Sequence, residues 1–140
     1  MVISRMNEYS FENLEVYKLA REYRKKIYKL TYQLPKEEQF NLISQMRKAA
    51  VSLTNNIAEG HGRYHYQENI QFLRHSRGSL EELLDDLNVC IDEKYADKDY
   101  IEGLKEEGYS LLKKLNSYIK YLKGKKTGTI NNQINQLVNG

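Results

Sequence analysis

The sequence predicts an all-α fold, an antiparallel up-down-up-down bundle of four helices, and three observations predict it. Apolar residues recur at alternating spacings of three and four along four long segments, the pattern of helices packed nearly parallel or antiparallel. Strand signals are weak: Pro35 is the single proline, Val and Thr do not cluster, and no hairpin turn separates two alternating apolar runs. The segments are joined by only a few residues, so each helix must return beside its predecessor.

The first stripe is Val16, Ala20, Tyr23, Ile27, Leu30 and Leu34, with Ser10 placed to cap its start and Leu34-Pro35 to stop it. The second is Ile43, Met46, Ala50, Leu53 and Ile57. Pro35 opens it, Glu37 and Glu38 suit its positive end, and Gly60 closes it. Ile70, Leu73, Arg77, Leu80, Leu84, Leu87 and Ile91 make the third. Ile101, Leu104, Gly108, Leu111, Leu115, Tyr118 and Leu122 make the fourth, with Asp97 or Asp99 as cap. Residues 1–122 therefore form the bundle. Residues 123–140, "KGKKTGTINNQINQLVNG" from Lys123, are polar and predict a flexible, fraying tail. Ile130, Ile134 and Val138 share one helical face, so a short helix docked on a partner is the other reading of that tail.

At 140 residues with 40% hydrophobic content the chain suits one domain with a real core. Cys90 stands alone, so no disulfide forms within the chain, and "MVISRMNEYS" lacks the apolar run of a secretion signal. No window approaches the roughly 20 apolar residues that span a bilayer. The expectation is a cytoplasmic protein that does not cross a membrane.

The stretch "AVSLTNNIAEGHGRYHYQ", residues 50–67, breaks the Leu-Tyr-Lys-Glu texture of the rest. In a hairpin turning near Gly62, Gly78 faces Met46 to Ala50. Ala49, Ala50 and Ser52 on one helix with Gly78 and Ser79 on the other then let two backbones approach closely, which offsets the helical cost of glycine. Thr54, Asn55 and Asn56 are poor helix formers and call for hydrogen-bond partners, either inside the fold or on a nucleotide or partner chain. His61, His65 and Glu68 have helical ligand spacing, but Gly60 and Gly62 break the helix and no further strong ligand follows, so no metal is expected. Cys90 among Leu87, Val89 and Ile91 reads as a small buried hydrophobe, and Asp85-Asp86 point in different directions on a helix. With no catalytic triad and no phosphate-cradling loop, the expected protein is non-enzymatic and needs no cofactor.

"QMRKAAVSLTNNIAEGHGR" followed by "FLRHSRGSLEELLDDL", with "FENLEVYKLAREYRKKIYKLTYQLP" before them, resembles the four-helix-bundle family of proteins encoded within intervening sequences of bacterial 23S ribosomal RNA genes. The likeness runs over about residues 11–122 and rests on NIAEG (Asn56, Glu59 and Gly60 within it), an Arg after the turn, and a GS-x-x-E-L run beginning at Gly78. It implies a bundle that assembles into a ring-like pentamer, related to the accessory proteins of diversity-generating retroelements, with RNA or DNA as the suspected ligand. Asn41, Ser76 and Tyr17 depart from the family pattern, in which glycine, alanine and tryptophan are usual. The first two leave the detailed helix contacts open.

Charge is sorted along the chain. Residues 16–32 carry six bases against Glu22, a net +5; residues 113–126 carry six lysines and no acid, +6; residues 79–107 carry eleven acids against three lysines, −8. The topology gathers Lys120, Lys123, Lys125, Lys126, Arg63 and Arg5 at one end. His61, Tyr64, His65 and Tyr66 interleave there as stacking groups, and Arg21, Lys25 and Lys29 lie on the first helix. These are the candidate RNA or DNA contacts. The same charges also suit assembly, the acidic end of one copy facing the basic first helix of another. Arg77 interrupts the third stripe. It either packs its stem and pairs with a carboxylate such as Glu59 or Glu81, or lines the channel of an oligomer and contacts phosphate. Twelve tyrosines, Tyr17, Tyr23, Tyr28, Tyr118 and Tyr121 among them on or beside the stripes, suit bundle interiors and subunit interfaces. The leading expectation is a homo-oligomer that binds nucleic acid; the alternative is a protein adaptor, for example for a reverse transcriptase.

Overall fold

Four stripes become four helices. The computed structural model describes residues 10–139, the side chains of residues 129–131 and 139 excepted. The helices are α1 (Glu15–Thr31), α2 (Leu42–His61), α3 (Tyr66–Asp92) and α4 (Lys98–Asn139), and no strand occurs among the described residues. Each helix packs against the next, α4 returns to α1, and the diagonal pairs stay apart. That ring of neighbours is the four-helix bundle.

The first, second and fourth stripes point inward as spaced, except that Tyr118 is half-buried. The third is turned slightly: α3 buries Ile70, Leu73, Ser76, Leu80, Leu83, Leu84, Asp86, Leu87 and Cys90, leaving Arg77 and Ile91 on the flank. Tyr23, 1% exposed, donates its hydroxyl hydrogen to the Leu104 carbonyl at 3.1 Å and so ties α1 to α4 through the core. Two ion pairs cross the same seam outside, Lys26 to Glu107 at 2.6 Å and Lys114 to Glu15 at 3.3 Å.

Helix ends are set by local chemistry, and several differ from expectation. Ser10 caps a 3₁₀ turn, Phe11–Asn13, by accepting from the Glu12 N–H, and Leu14 precedes α1. Pro35 likewise opens a 3₁₀ turn, Lys36–Glu38. α2 itself starts at Leu42, whose N–H donates to the Glu38 carboxylate at 3.3 Å. α3 ends in a Schellman motif, with the Tyr95 N–H donating to the Cys90 carbonyl and the Lys94 N–H to that of Ile91. Lys94 occupies its left-handed position at φ 58°. Asp97 caps α4 by accepting from the Tyr100 N–H at 3.1 Å.

Gly78 is a correction. It is exposed, and a Cβ built there would meet nothing within 4 Å. The close α2–α3 contact is made by serines: Ser76 donates to the Leu53 carbonyl at 2.8 Å and Ser79 to the Ser52 hydroxyl at 2.9 Å. That pairing sets Gly78 level with about Ser52, because the connection runs on through His65 and moves the turn's centre beyond Gly62. Glycine is required instead at Gly60, where a Cβ would lie 2.7 Å from Asn69 Oδ1 and 2.9 Å from Phe72 Cβ. It is required again at Gly108, where a Cβ would lie 2.6 Å from the Tyr23 hydroxyl. Beyond Leu122, the last buried residue among the described side chains of α4, the helix continues through the polar stretch to Asn139, with Ile134, Leu137 and Val138 exposed.

Candidate nucleic-acid interface

Turn residues place the N-terminus of α3 beside the far part of α4. Lys126 of α4 donates to Gln67 at the start of α3. Between them opens a groove of about 870 Å³, lined by Tyr66, Ser117, Lys120, Tyr121, Gly124, Lys125, Gly128 and Asn132. Gly124 and Gly128, one turn apart on α4, add no side chains to its wall. Tyr121, 56% exposed, lies near-parallel to Tyr118 with ring centroids 6.2 Å apart and planes 15° apart, and the Lys125 ammonium sits 5.4 Å over its ring. Tyr66 is 39% exposed and Tyr64 93%. Burial holds the Tyr118 hydroxyl above its ordinary pKa, outweighing a hydrogen bond from Asn69 that lowers it.

The candidate residues do not converge on one surface. Lys120 and Lys125 line the groove, Lys126 flanks it, and Lys123 is exposed on the same helix. Arg63, at the same end, is half committed: it pairs with Glu59 at 3.2 Å and lies 4.8 Å over the Phe72 ring. Arg77 hydrogen-bonds Asn116 at 3.0 Å, not the carboxylate of Glu59 or Glu81. Arg21, Lys25 and Lys29 are exposed on α1, Lys25 paired with Glu22 at 3.4 Å. Arg5 lies outside the described residues.

Lys25 and Lys29 belong to a second, shallower groove of about 400 Å³ with Arg24, Tyr28 and Tyr32. Sequence reasoning named Lys25 and Lys29 of this surface but missed Tyr32 and Arg47. Arg47 of α2 stacks over both tyrosines, 5.3 Å from Tyr28 and 4.8 Å from Tyr32, and donates to the Thr31 hydroxyl at 3.0 Å. The signal was present in the four-residue spacing of Tyr28 and Tyr32 alternating with Lys25 and Lys29.

The motif at the end of α2 is mostly inward business. Ala49 and Ala50 are buried in the core, and Thr54 accepts from Arg24 at 2.8 Å while donating to the Val51 carbonyl. Asn56 donates to the Ser52 carbonyl at 2.8 Å, and Asn55 is exposed. Burial, then the charges of Asp86 and Glu38, push the Cys90 thiol up to about 11, which keeps it protonated and a poor nucleophile. Among the described residues no group of three His, Cys, Asp or Glu side chains is placed to hold a metal ion, and no helix is long and apolar enough to cross a membrane.

Fold and surface together define a class: small antiparallel four-helix bundles whose basic, tyrosine-lined end opposes an acidic one. The particular family follows from comparison. The model of the 23S rRNA-intervening sequence protein family matches residues 12–117, and the chain belongs to that family. It is also similar to a crystal structure of a protein of unknown function from the S23 ribosomal protein family of Bacteroides thetaiotaomicron. The two are 22% identical with a TM-score of 0.70, over 75% of this chain and 98% of that one. At that identity the likeness shows the bundle. No curated protein matches the chain.

Proposed function

We propose that this chain is a non-enzymatic, cytoplasmic, homo-oligomeric protein that binds RNA or DNA through its basic end. The observation that carries the reading is the groove between α3 and α4, where Tyr66 and Tyr121 offer ring faces beside Lys120 and Lys125. Cations beside exposed aromatic faces suit a single strand, whose bases stack while phosphates meet ammonium groups; each stacked base contributes about 1–3 kcal/mol. Family membership supports an RNA context and, through the resemblance of the sequence, assembly as a pentamer. A ring of copies would repeat the groove around an axis and multiply its avidity.

Filter binding of a single-stranded RNA against salt tests this. Affinity should fall steeply as salt rises, because bound lysines release counterions. Replacing Lys120 and Lys125 by Ala should flatten that slope, and Tyr121→Ala should weaken binding about tenfold or more at every salt concentration. Absence of binding at low salt, or a salt-independent response, refutes the proposal. A second reading is favoured by Phe40, 92% exposed, and by exposed Leu137 and Val138: a protein adaptor, for example for a reverse transcriptase. Co-purification of a polymerase without nucleic acid would favour it.

A further inference from the structure

The face between α1 and α2, across the bundle from the α3–α4 groove, holds two arginines in fixed positions with donors to spare. Each crosses to the neighbouring helix and ends on a buried threonine. Arg24 of α1 donates through Nη1 to the Thr54 hydroxyl at 2.8 Å, and Arg47 of α2 donates through Nε to that of Thr31 at 3.0 Å, both threonines being 1% exposed. A guanidinium carries about five N–H donors, so each head keeps most of its own. Among the described residues neither arginine is in an ion pair. Tyr28 stands between them and lines two hollows. One is the groove of about 400 Å³ that Arg24 shares with Lys25, Lys29 and Tyr32; the other, of about 490 Å³, has Arg47, Lys48 and Val51 in its walls.

The composition of these walls specifies the ligand. Among the described residues that line them five are cations and none is a carboxylate, so the ligand is an anion. Val51 is the one aliphatic side chain among them, too little for the apolar centre of a stable protein interface, and lysine is depleted from such centres. Nucleic acid fits better. A planar guanidinium matches phosphate oxygens with paired donors, and a head already held by a buried threonine loses less freedom on binding. Tyr32, 77% exposed and 4.8 Å from the Arg47 guanidinium, offers a ring face to a base beside that phosphate. We propose that the α1–α2 face is a separate site for single-stranded RNA or DNA, its phosphates taken by Arg24 and Arg47 and a base stacked on Tyr32. The class of ligand rests on the same nucleic-acid reading as the α3–α4 groove; the site itself does not. Helices α1 and α2 lie on the other side of the ring from α3 and α4, and each helix is about 10–12 Å across, so a short oligonucleotide cannot occupy both sites and one chain holds two strands.

The test is calorimetric titration of the full chain with tetrauridylate at low salt, with circular dichroism showing that each variant is folded. Two oligonucleotides should bind per chain. Lys120→Ala with Lys125→Ala should remove one, and Lys29→Ala with Tyr32→Ala should remove the other. Arg47→Lys keeps the charge but loses the planar head, so affinity at the α1–α2 site should fall at least about tenfold while the salt slope stays as in wild type. Uridine monophosphate should bind there at least about tenfold more weakly than the tetranucleotide, since it offers one phosphate and one base; equal affinity would make the ligand a lone nucleotide and overturn the strand. Unchanged affinity in Arg47→Lys, or a single strand per chain that survives Lys29→Ala with Tyr32→Ala, overturns the assignment and leaves the lysine groove standing. A single strand that survives Lys120→Ala with Lys125→Ala does the reverse, and no binding at all refutes both. If the face instead receives the acidic surface of a second copy, Lys29→Ala with Tyr32→Ala lowers the sedimentation coefficient and leaves both strands bound, which also overturns the assignment.

Discussion

Substituting Gly108 is the sharpest test of the packing. In a helix interior Ala is worth about 1 kcal/mol more than Gly, so Gly108→Ala in an open position would stabilise the protein. Here the added Cβ would lie 2.6 Å from the Tyr23 hydroxyl, 3.1 Å from Tyr23 Cζ and 2.8 Å from Leu84 Cδ2. The ring cannot slide away easily, since Tyr23 is 1% exposed and bonded to the Leu104 carbonyl. Overpacking of this kind costs about 1–3 kcal/mol or more, so the net change should be a loss of roughly 1–2 kcal/mol. Tyr23→Phe alone removes a net hydrogen bond of about 1 kcal/mol, at the low end because the Leu104 carbonyl keeps its place in the helical ladder. In the double variant the nearest oxygen is gone and Leu84 has a flexible end that can turn aside. Gly108→Ala should then be nearly neutral, a favourable coupling of about 1–2 kcal/mol read by urea denaturation of all four proteins. Additivity within about 0.5 kcal/mol would show that α1 and α4 do not meet as described.

Two further outcomes follow from single residues. Lys94 holds a left-handed backbone that costs a side-chain-bearing residue about 1–2 kcal/mol, so Lys94→Gly should raise stability by about 1 kcal/mol in the same assay; a loss would mean that the lysine side chain is needed. Asp86 makes stability depend on pH. Its pKa rises from 3.8 in the unfolded chain to about 7 in the fold, so the folded state holds the proton more tightly. Its contribution is complete below about pH 4 and is lost as pH climbs through about 7, with a ceiling of about 4 kcal/mol. Asp86→Asn should therefore be more stable than wild type at about pH 8, and the gap should close towards pH 5; a gap independent of pH refutes the burial argument.

The bundle was legible because period is a property of sequence, and tight spacing of apolar residues allows one solution. Rotation is less so. Arg77 and Ser76 are neighbours, and which of them faces inward turns on a third of a helical turn; Ser76 wins because its hydroxyl finds the Leu53 carbonyl while Arg77 reaches Asn116. The same rotation buries Asp86, which lies three residues after Leu83 and four before Cys90, both buried. That spacing was readable, but an acid within it is more readily assigned to the surface. Gly78 misled because a small residue near a helix crossing looks like a contact, whereas contact depends on a register that the loop through His65 sets. The clustering of charge by segment predicted the basic end, but not that Arg63 would be tied to Glu59 or that Tyr66 and Tyr121 would share one groove.

Only part of the acidic end serves the stability of the bundle. In an antiparallel bundle each end holds two helix N-termini and two C-termini, so the backbone dipoles nearly cancel and any polarity comes from side chains. Asp97 and Glu38 are well placed, each accepting from an N–H at a helix start. Asp92 and Glu93 are not: they sit at the C-terminus of α3, where carbonyls already concentrate negative charge and a base would be favoured. Asp85 and Asp86 add two more acids one or two turns earlier, and the described ion pairs neutralise none of the four. Each such arrangement costs a few tenths to about 1 kcal/mol, and a buried unpaired carboxylate costs more. A proton removes part of that cost: with its carboxyl raised to about 7, Asp86 loses its charge as pH falls below neutrality.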